Sequence, residues 1–166
     1  PNYKTNKKND LDEKNFIENV EIIDGYSMII NKNYFSDNNF FDENFFMYLE
    51  NVDLCLRVKK KDGKIFIIKN SKIHHLGSQA VDSRHAKEVE LSRNWHWMWS
   101  KFYFNKKHYG YLIALFKVFK NLFSAKIKFF YYLITLNTFK RKIYQMRLFG
   151  LISSMIGKNS YYRPKI

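Results

Sequence analysis

The rhythm of hydrophobic and polar positions changes twice along this chain. Residues 1–20 are rich in Lys, Asn, Asp and Glu with few apolar positions, and read as a solvated loop or linker. From Val20 to Ile30 the chain turns apolar and β-branched with a bend at Gly25, which predicts a strand over residues 26–30. Residues 33–36 fit one helical turn, and Asp37-Asn38-Asn39 fits a reverse turn. Residues 52–61 predict a helix closed by Asp62-Gly63, because glycine tolerates the left-handed C-cap. Lys59, Lys60 and Lys61 fall in its last turn, where positive charge suits the helix dipole. Residues 65–68 and 72–75 read as two short strands. Beyond Arg84 the period becomes helical, with segments expected at 84–105, 109–135 and 139–156, the last broken near Gly150. Gly157 and Pro164 mark a frayed end, and no internal repeat is visible.

The order strand, loop, helix, strand, strand is that of the second half of an α/β domain, and a short mixed sheet is expected. Three parts follow: a loop or linker at 1–20, a half-domain at 21–83, and a helical extension at 84–166. The chain opens on Pro1 without a signal-peptide pattern, and reads as part of a longer one.

Composition adds two constraints. Apolar residues make up 46% of the chain and aromatics 19%, enough for a packed core rather than a disordered chain. The single Cys55 excludes an intrachain disulfide and reads as a small buried residue in a reducing compartment. Charge divides the chain more sharply. Residues 1–90 carry a net −1, whereas residues 91–166 carry +15 with no acid at all and hold twenty of the 31 aromatics. A basic, aromatic, acid-free segment suits a phosphate-bearing partner. An anionic membrane surface is the expected one, and nucleic acid is not.

The longest apolar run of the extension, residues 129–136, is far short of the ~20 residues that span a bilayer. Lys117, Asn121, Ser124 and Lys128 form a polar stripe on an otherwise apolar helix. Such a helix lies in a membrane interface or packs on its own domain. Lys126 falls on the opposite face and has to snorkel. Trp95, Trp97, Trp99, Phe102, Tyr103 and Phe104 are too dense for one helix face, so some are expected at the surface or against lipid.

The segment Phe41-Asp42-Glu43-Asn44-Phe45-Phe46-Met47-Tyr48-Leu49-Glu50-Asn51-Val52-Asp53-Leu54-Cys55-Leu56-Arg57 sets acids beside aromatics and runs into a helix. It resembles the motif F-D-E-x-F-F-x-Y-x-E-D-x-D-L-x-x-R of family 2 glycosyltransferases, especially rhamnosyltransferase-like bacterial members. Asp24-Gly25-Tyr26-Ser27-Met28-Ile29-Ile30 resembles the strand before that family's acceptor site. Lys72-Ile73-His74-His75-Leu76-Gly77-Ser78 resembles its strand ending in His-x-Gly. The resemblance covers roughly residues 22–83. It implies the C-terminal half of an A-type glycosyltransferase domain. The full enzyme would transfer a sugar from a nucleotide-sugar donor to a lipid-linked or polysaccharide acceptor, using a divalent metal (Mn or Mg). It would work in the cytoplasm, peripheral on the inner face of the cell membrane.

Asp24, Gly25, Asp42, Glu43 and Phe46 are then expected to bind acceptor. The family's catalytic base, an Asp, aligns with Asn51, which accepts no proton near neutral pH. The role therefore passes to Glu50 or Asp53, or the chain is a weak or inactive homologue, or the base differs in this branch. Asn51 also reads as a helix N-cap, and Asp53 as an ion-pair partner of Arg57. His75 is expected as a metal ligand or as a structural strand-end residue, with His74 facing the other way. Arg84 and Arg93 are candidates for a diphosphate, since Ser92-Arg93-Asn94-Trp95 loosely resembles an Arg-Trp element of related enzymes; the alternative is an exposed helix face. Asp10-Leu11-Asp12 matches the metal-binding D-x-D only as a bare pattern, because no apolar strand precedes it; the working D-x-D is expected outside this chain. The alternative to an enzyme is a non-catalytic basic module that binds anionic membrane or nucleic acid.

Overall fold

A computed structural model of the protein describes residues 16–35, 40–75 and 82–164. Its elements are β1 (Ile17–Val20), α1 (Glu50–Lys60), β2 (Ile65–Ile68), α2 (Ala86–Tyr109), α3 (Tyr111–Ile134) and α4 (Thr138–Met155), with single 3₁₀ turns at Lys32–Tyr34 and Ser83–His85. The protein is mixed α/β and mostly helical.

β1 and β2 pair antiparallel, Ile17 opposite Ile68 and Val20 opposite Ile65. Lys69 and Glu18 add a salt bridge of 3.2 Å. The expected mixed sheet is thus a two-stranded antiparallel one among the described residues. Its first strand lies within what reads as linker, because Ile17-Glu18-Asn19-Val20 offers only two apolar positions. Residues 26–30 and 72–75 are not strands. Apolar, β-branched sequence permits extended backbone, but a strand also needs a ladder partner. The turn expected at residues 37–39 and the end of the His-x-Gly segment lie outside the described residues.

α1 starts two residues earlier than its sequence pattern. Tyr48 and Leu49 both hold left-handed backbone, with φ of 70° and 68°, and Leu49 caps the helix without a side-chain hydrogen bond. Asn51 is therefore inside the helix and is not its N-cap. At the other end Asp62, not Gly63, takes the left-handed conformation, with φ of 58°. Gly63 is small for a different reason. A Cβ there would meet the Tyr34 hydroxyl at 2.6 Å, and that hydroxyl donates to the carbonyls of Val58 (3.1 Å) and Lys61 (2.7 Å). It thereby serves the Lys61 carbonyl at the helix end and adds to the Lys61 and Gly63 amides that already reach Val58.

The extension folds as a three-helix bundle. α2 packs most extensively on α4, and α3 on both. Met98, Phe102, Ala114, Val118 and Leu151 form its core, flanked by Trp97, Leu115, Leu122 and Met155. Gly110, with φ of 89°, joins α2 to α3 in a backbone region that disfavours side chains. Asn137 caps α4 by accepting from the Lys140 amide at 3.1 Å. α4 is unbroken at Gly150. A Cβ on that residue would fall 2.1 Å from the Trp95 carbonyl oxygen, so the glycine permits close approach of α2 and α4. The segment after α4 is held rather than frayed: the Trp99 indole donates to the Lys158 carbonyl at 2.9 Å.

With no acid beyond residue 90, several cations of the bundle rest on rings. Lys117 lies over Tyr109 at 4.1 Å, Lys128 and Arg147 lie over Tyr144, and Lys140 lies over Tyr132.

Candidate functional site

The motif segment supplies two separate acidic groups. The first is a buried ion cluster. Asp53 is fully buried; its Oδ2 accepts from Arg57 Nε at 2.8 Å, and its Oδ1 from Lys107 Nζ at 2.7 Å and His108 Nε2 at 2.8 Å. Lys107 also donates to Asp42 Oδ2 at 2.8 Å, which the Tyr103 hydroxyl shares at 2.9 Å. Asp42 Oδ1 accepts from the Asn44 amide and side chain. Arg57 reaches the Phe40 carbonyl as well.

Burial by itself works against both carboxylates. The donors outweigh it, holding Asp53 below the usual carboxylate range and Asp42 at about 2. Burial, aided by the Asp42 charge, pushes the Tyr103 hydroxyl up to about 12. Burial also lowers His108, against the pull of Asp53. Its geometry agrees: Nδ1 lies 3.2 Å from the Lys60 ammonium and so accepts, while Nε2–H donates to Asp53, which makes the ring neutral. This cluster ties the motif loop and α1 to the end of α2. Asp42 and Asp53 both take part in it, and the ion pair expected between Asp53 and Arg57 is present.

The second group sits at the start of α1. Glu50 Oε2 is buried with no hydrogen-bond partner among the described residues. An unpaired buried acceptor is costly; among the described residues Ser92 Oγ and Ser154 Oγ share that condition, and Glu50 Oε2 is the carboxylate among them. It follows the two left-handed residues directly, and backbone strain of this kind collects at functional sites. That loop is pinned from α2, where Ser100 Oγ donates to the Met47 carbonyl at 2.7 Å and Trp97 meets the Tyr48 ring edge-on. Burial raises the Tyr48 hydroxyl, which lies within electrostatic reach of Arg93, Glu90 and Glu50. Arg93 is half-buried, not on an exposed helix face. Asn51 donates to the Ile23 carbonyl at 2.7 Å, and a Cβ on Gly25 would meet Asn51 at 3.4 Å. Glu50, Asn51 and Gly25 thus share one junction, and Arg93 lies within electrostatic reach of the Tyr48 hydroxyl at its edge.

Of the remaining candidates, His75 stacks at 4.8 Å on Tyr26, the residue after Gly25, and Asp24, the residue before that glycine, is exposed. Arg84 is exposed and paired to Asp82 at 2.9 Å. Glu43 and Phe46 line a shallow cleft of about 250 Å³ with Asn159 and Ser160, where Arg163 lies 3.6 Å over the Phe46 ring. Among the described residues no three His, Cys, Asp or Glu side chains come together as a cation site, so the residues here do not by themselves fit a divalent metal.

Several contributors escaped the sequence: Tyr48, Tyr103, Lys107, His108, Ser100 and His96. His96 is buried and neutral; Nε2–H donates to the Tyr162 carbonyl at 2.8 Å, Nδ1 accepts from Ser160 at 2.9 Å, and burial lowers it. Cys55 is buried and its thiol raised, as its pattern predicts. Only His108 carried a signal, as a histidine in a basic helix end with acids elsewhere.

Comparison with protein-family models, with curated proteins and with solved structures gives no match.

Proposed function

We propose that this chain is the acceptor-side part of a family 2-like glycosyltransferase. The full enzyme transfers a sugar from a nucleotide-sugar to a lipid-linked or polysaccharide acceptor at the inner face of the cell membrane. The observation that carries this reading is Glu50 Oε2, a buried acceptor without a hydrogen-bond partner among the described residues, two residues after Tyr48, whose hydroxyl lies within electrostatic reach of Arg93. An acceptor hydroxyl supplies the missing donor, and the carboxylate then takes its proton. Arg93 offers a planar cation to phosphate. Asn51 and Gly25 position the junction, and Asp42 and Asp53 brace it. A divalent metal would take its D-x-D ligands from outside these residues, with His75 as the ligand this chain offers.

The test is a titration of the whole chain with short oligosaccharides and polyprenyl-phosphate-linked sugars, read by backbone NMR. Shifts are expected at residues 48–51 and 93, with binding about tenfold weaker in Glu50→Gln, the scale of one charge-assisted hydrogen bond. Wild-type spectra unmoved by every acceptor would falsify it. No turnover is expected from this chain alone with a radiolabelled nucleotide-sugar.

A second reading has one observation in its favour. Asn51, at the position of the family's base, is spent on the Ile23 carbonyl, as suits a non-catalytic module. Acceptor binding that Glu50→Gln leaves unchanged favours that module.

A further inference from the structure

α3 faces the wrong way for a helix in water. Ala114, Val118 and Ala125 are its buried residues. Leu112, Phe116, Phe119, Phe123, Phe130 and Ile134 recur at helical spacing on the opposite side, with Leu112 79%, Phe116 84% and Ile134 80% exposed. At 1.5 Å per residue this stripe is about 33 Å long. A shallow groove of about 270 Å³ runs along it, between Phe119, Phe123 and Ile127 on one side and Lys120, Ser124 and Lys128 on the other.

Lysines rim the stripe. At ~100° per residue, exposed Lys120 and Lys126 lie roughly 60° to either side of its centre line. Beyond the helix, Leu136 is exposed and Lys140, Arg141 and Lys142 follow. The polar stripe of Lys117, Asn121 and Lys128 faces the bundle's flank instead: Lys117 rests on Tyr109, Asn121 accepts from Lys101 at 2.8 Å, and Lys128 rests on Tyr144.

We propose that this face docks on an anionic lipid surface. The rings enter the boundary between headgroups and acyl chains, and Lys120 and Lys126 meet headgroup phosphates. Among the described residues no helix is long and apolar enough to cross a membrane, so α3 lies along the surface. Charge selects this occupant. A second copy would set lysine against lysine, in a stretch of +15 without an acid. A duplex has no place for six outward apolar side chains, and a single strand stacking on the Phe rings would leave Leu112 and Ile134, 79% and 80% exposed, without a partner. Only an anionic lipid surface accepts both the stripe and its rim. The inference stands on α3 and does not depend on the transferase reading.

The experiment is co-sedimentation of the whole chain with vesicles of phosphatidylcholine, with and without one-third phosphatidylglycerol. Binding is expected to the anionic vesicles and at least tenfold less to neutral ones. Lys120→Gln with Lys126→Gln is expected to weaken anionic binding about 30-fold. Phe116→Ser with Phe123→Ser is expected to weaken it about tenfold or more. All four side chains are exposed, so circular dichroism should report an unchanged fold. Three outcomes would overturn the proposal: no binding of wild type to anionic vesicles, binding indifferent to both double variants, or a dimer in sedimentation equilibrium that the Phe pair abolishes while vesicles stay unbound. No sugar enters this assay, so its result is separate from that of Glu50→Gln.

Discussion

α2 and α3 are the same length, yet each does what the other's sequence would lead one to expect. α2 carries Ser92, Asn94, His96, Ser100 and Asn105 and buries all of them. α3 is far richer in Leu, Ile and Phe and leaves most of them exposed. Burial follows from partners rather than from hydropathy alone. Asn94 bridges the Glu90 carbonyl and Arg147, Asn105 bonds the Lys101 carbonyl, and His96 and Ser100 reach loops far away in sequence. α2 can therefore bury most of its polar groups with partners, Ser92 Oγ alone among those five residues being left without one among the described residues. α3 meets the bundle through Ala114, Val118 and Ala125, with Leu115 and Leu122 partly buried beside them, and most of its other large apolar side chains stay exposed.

The sharpest way to break the comparison is to cut the same group from both helices. Phe102→Ala removes a ring that is 0% exposed, with an expected loss of about 3–5 kcal/mol in urea unfolding. If Phe102→Ala cost no more than an α3 surface substitution, the contrast would be wrong. Next comes the tie between α2 and the motif. Asp53→Asn leaves Lys107 and Arg57 facing a neutral amide, and about 3 kcal/mol should be lost, with faster hydrogen exchange in residues 40–50.

Acid should loosen the same tie. Asp42 titrates near 2 when folded, against 3.8 ordinarily, so its contribution is complete above pH ~4 and disappears as pH falls toward 2. The expected loss is about 2 kcal/mol, and Asp42→Asn should flatten the stability profile in that window. His96 and His108 are also lowered, so the folded state favours their neutral rings; their share is present above pH 6.5 and declines as pH falls below it. The smallest effect belongs to α3: Phe116→Ala should change stability by less than about 0.5 kcal/mol, because its ring already meets water.

Sequence alone revealed local features and missed remote ones. The three long helices, α1 and β2 were readable because periodicity and capping act within a few residues. β1 was missed, since its pairing with β2 joins residues 45 to 51 apart and its own four positions are half polar. The ion cluster was hidden for the same reason: Asp53 reads naturally with Arg57, while Lys107 and His108 arrive from more than fifty residues away. Glu50 emerged as a candidate from its neighbours in the chain, but its unpaired oxygen is a property of packing. The polar stripe on α3 was visible, but that its Lys117 and Lys128 rest on Tyr109 and Tyr144 is a result of packing.

The ring-seated lysines and arginine have a consequence for how the bundle answers its solvent. Cations that rest on Tyr109, Tyr132 and Tyr144 have no carboxylates to lose when electrolyte is added. What electrolyte removes is their mutual repulsion, which shrinks once the Debye length falls to about 10 Å near 0.1 M. The helical extension should therefore melt at a higher temperature as sodium chloride rises, while the Asp42–Lys107–Asp53 tie gains nothing.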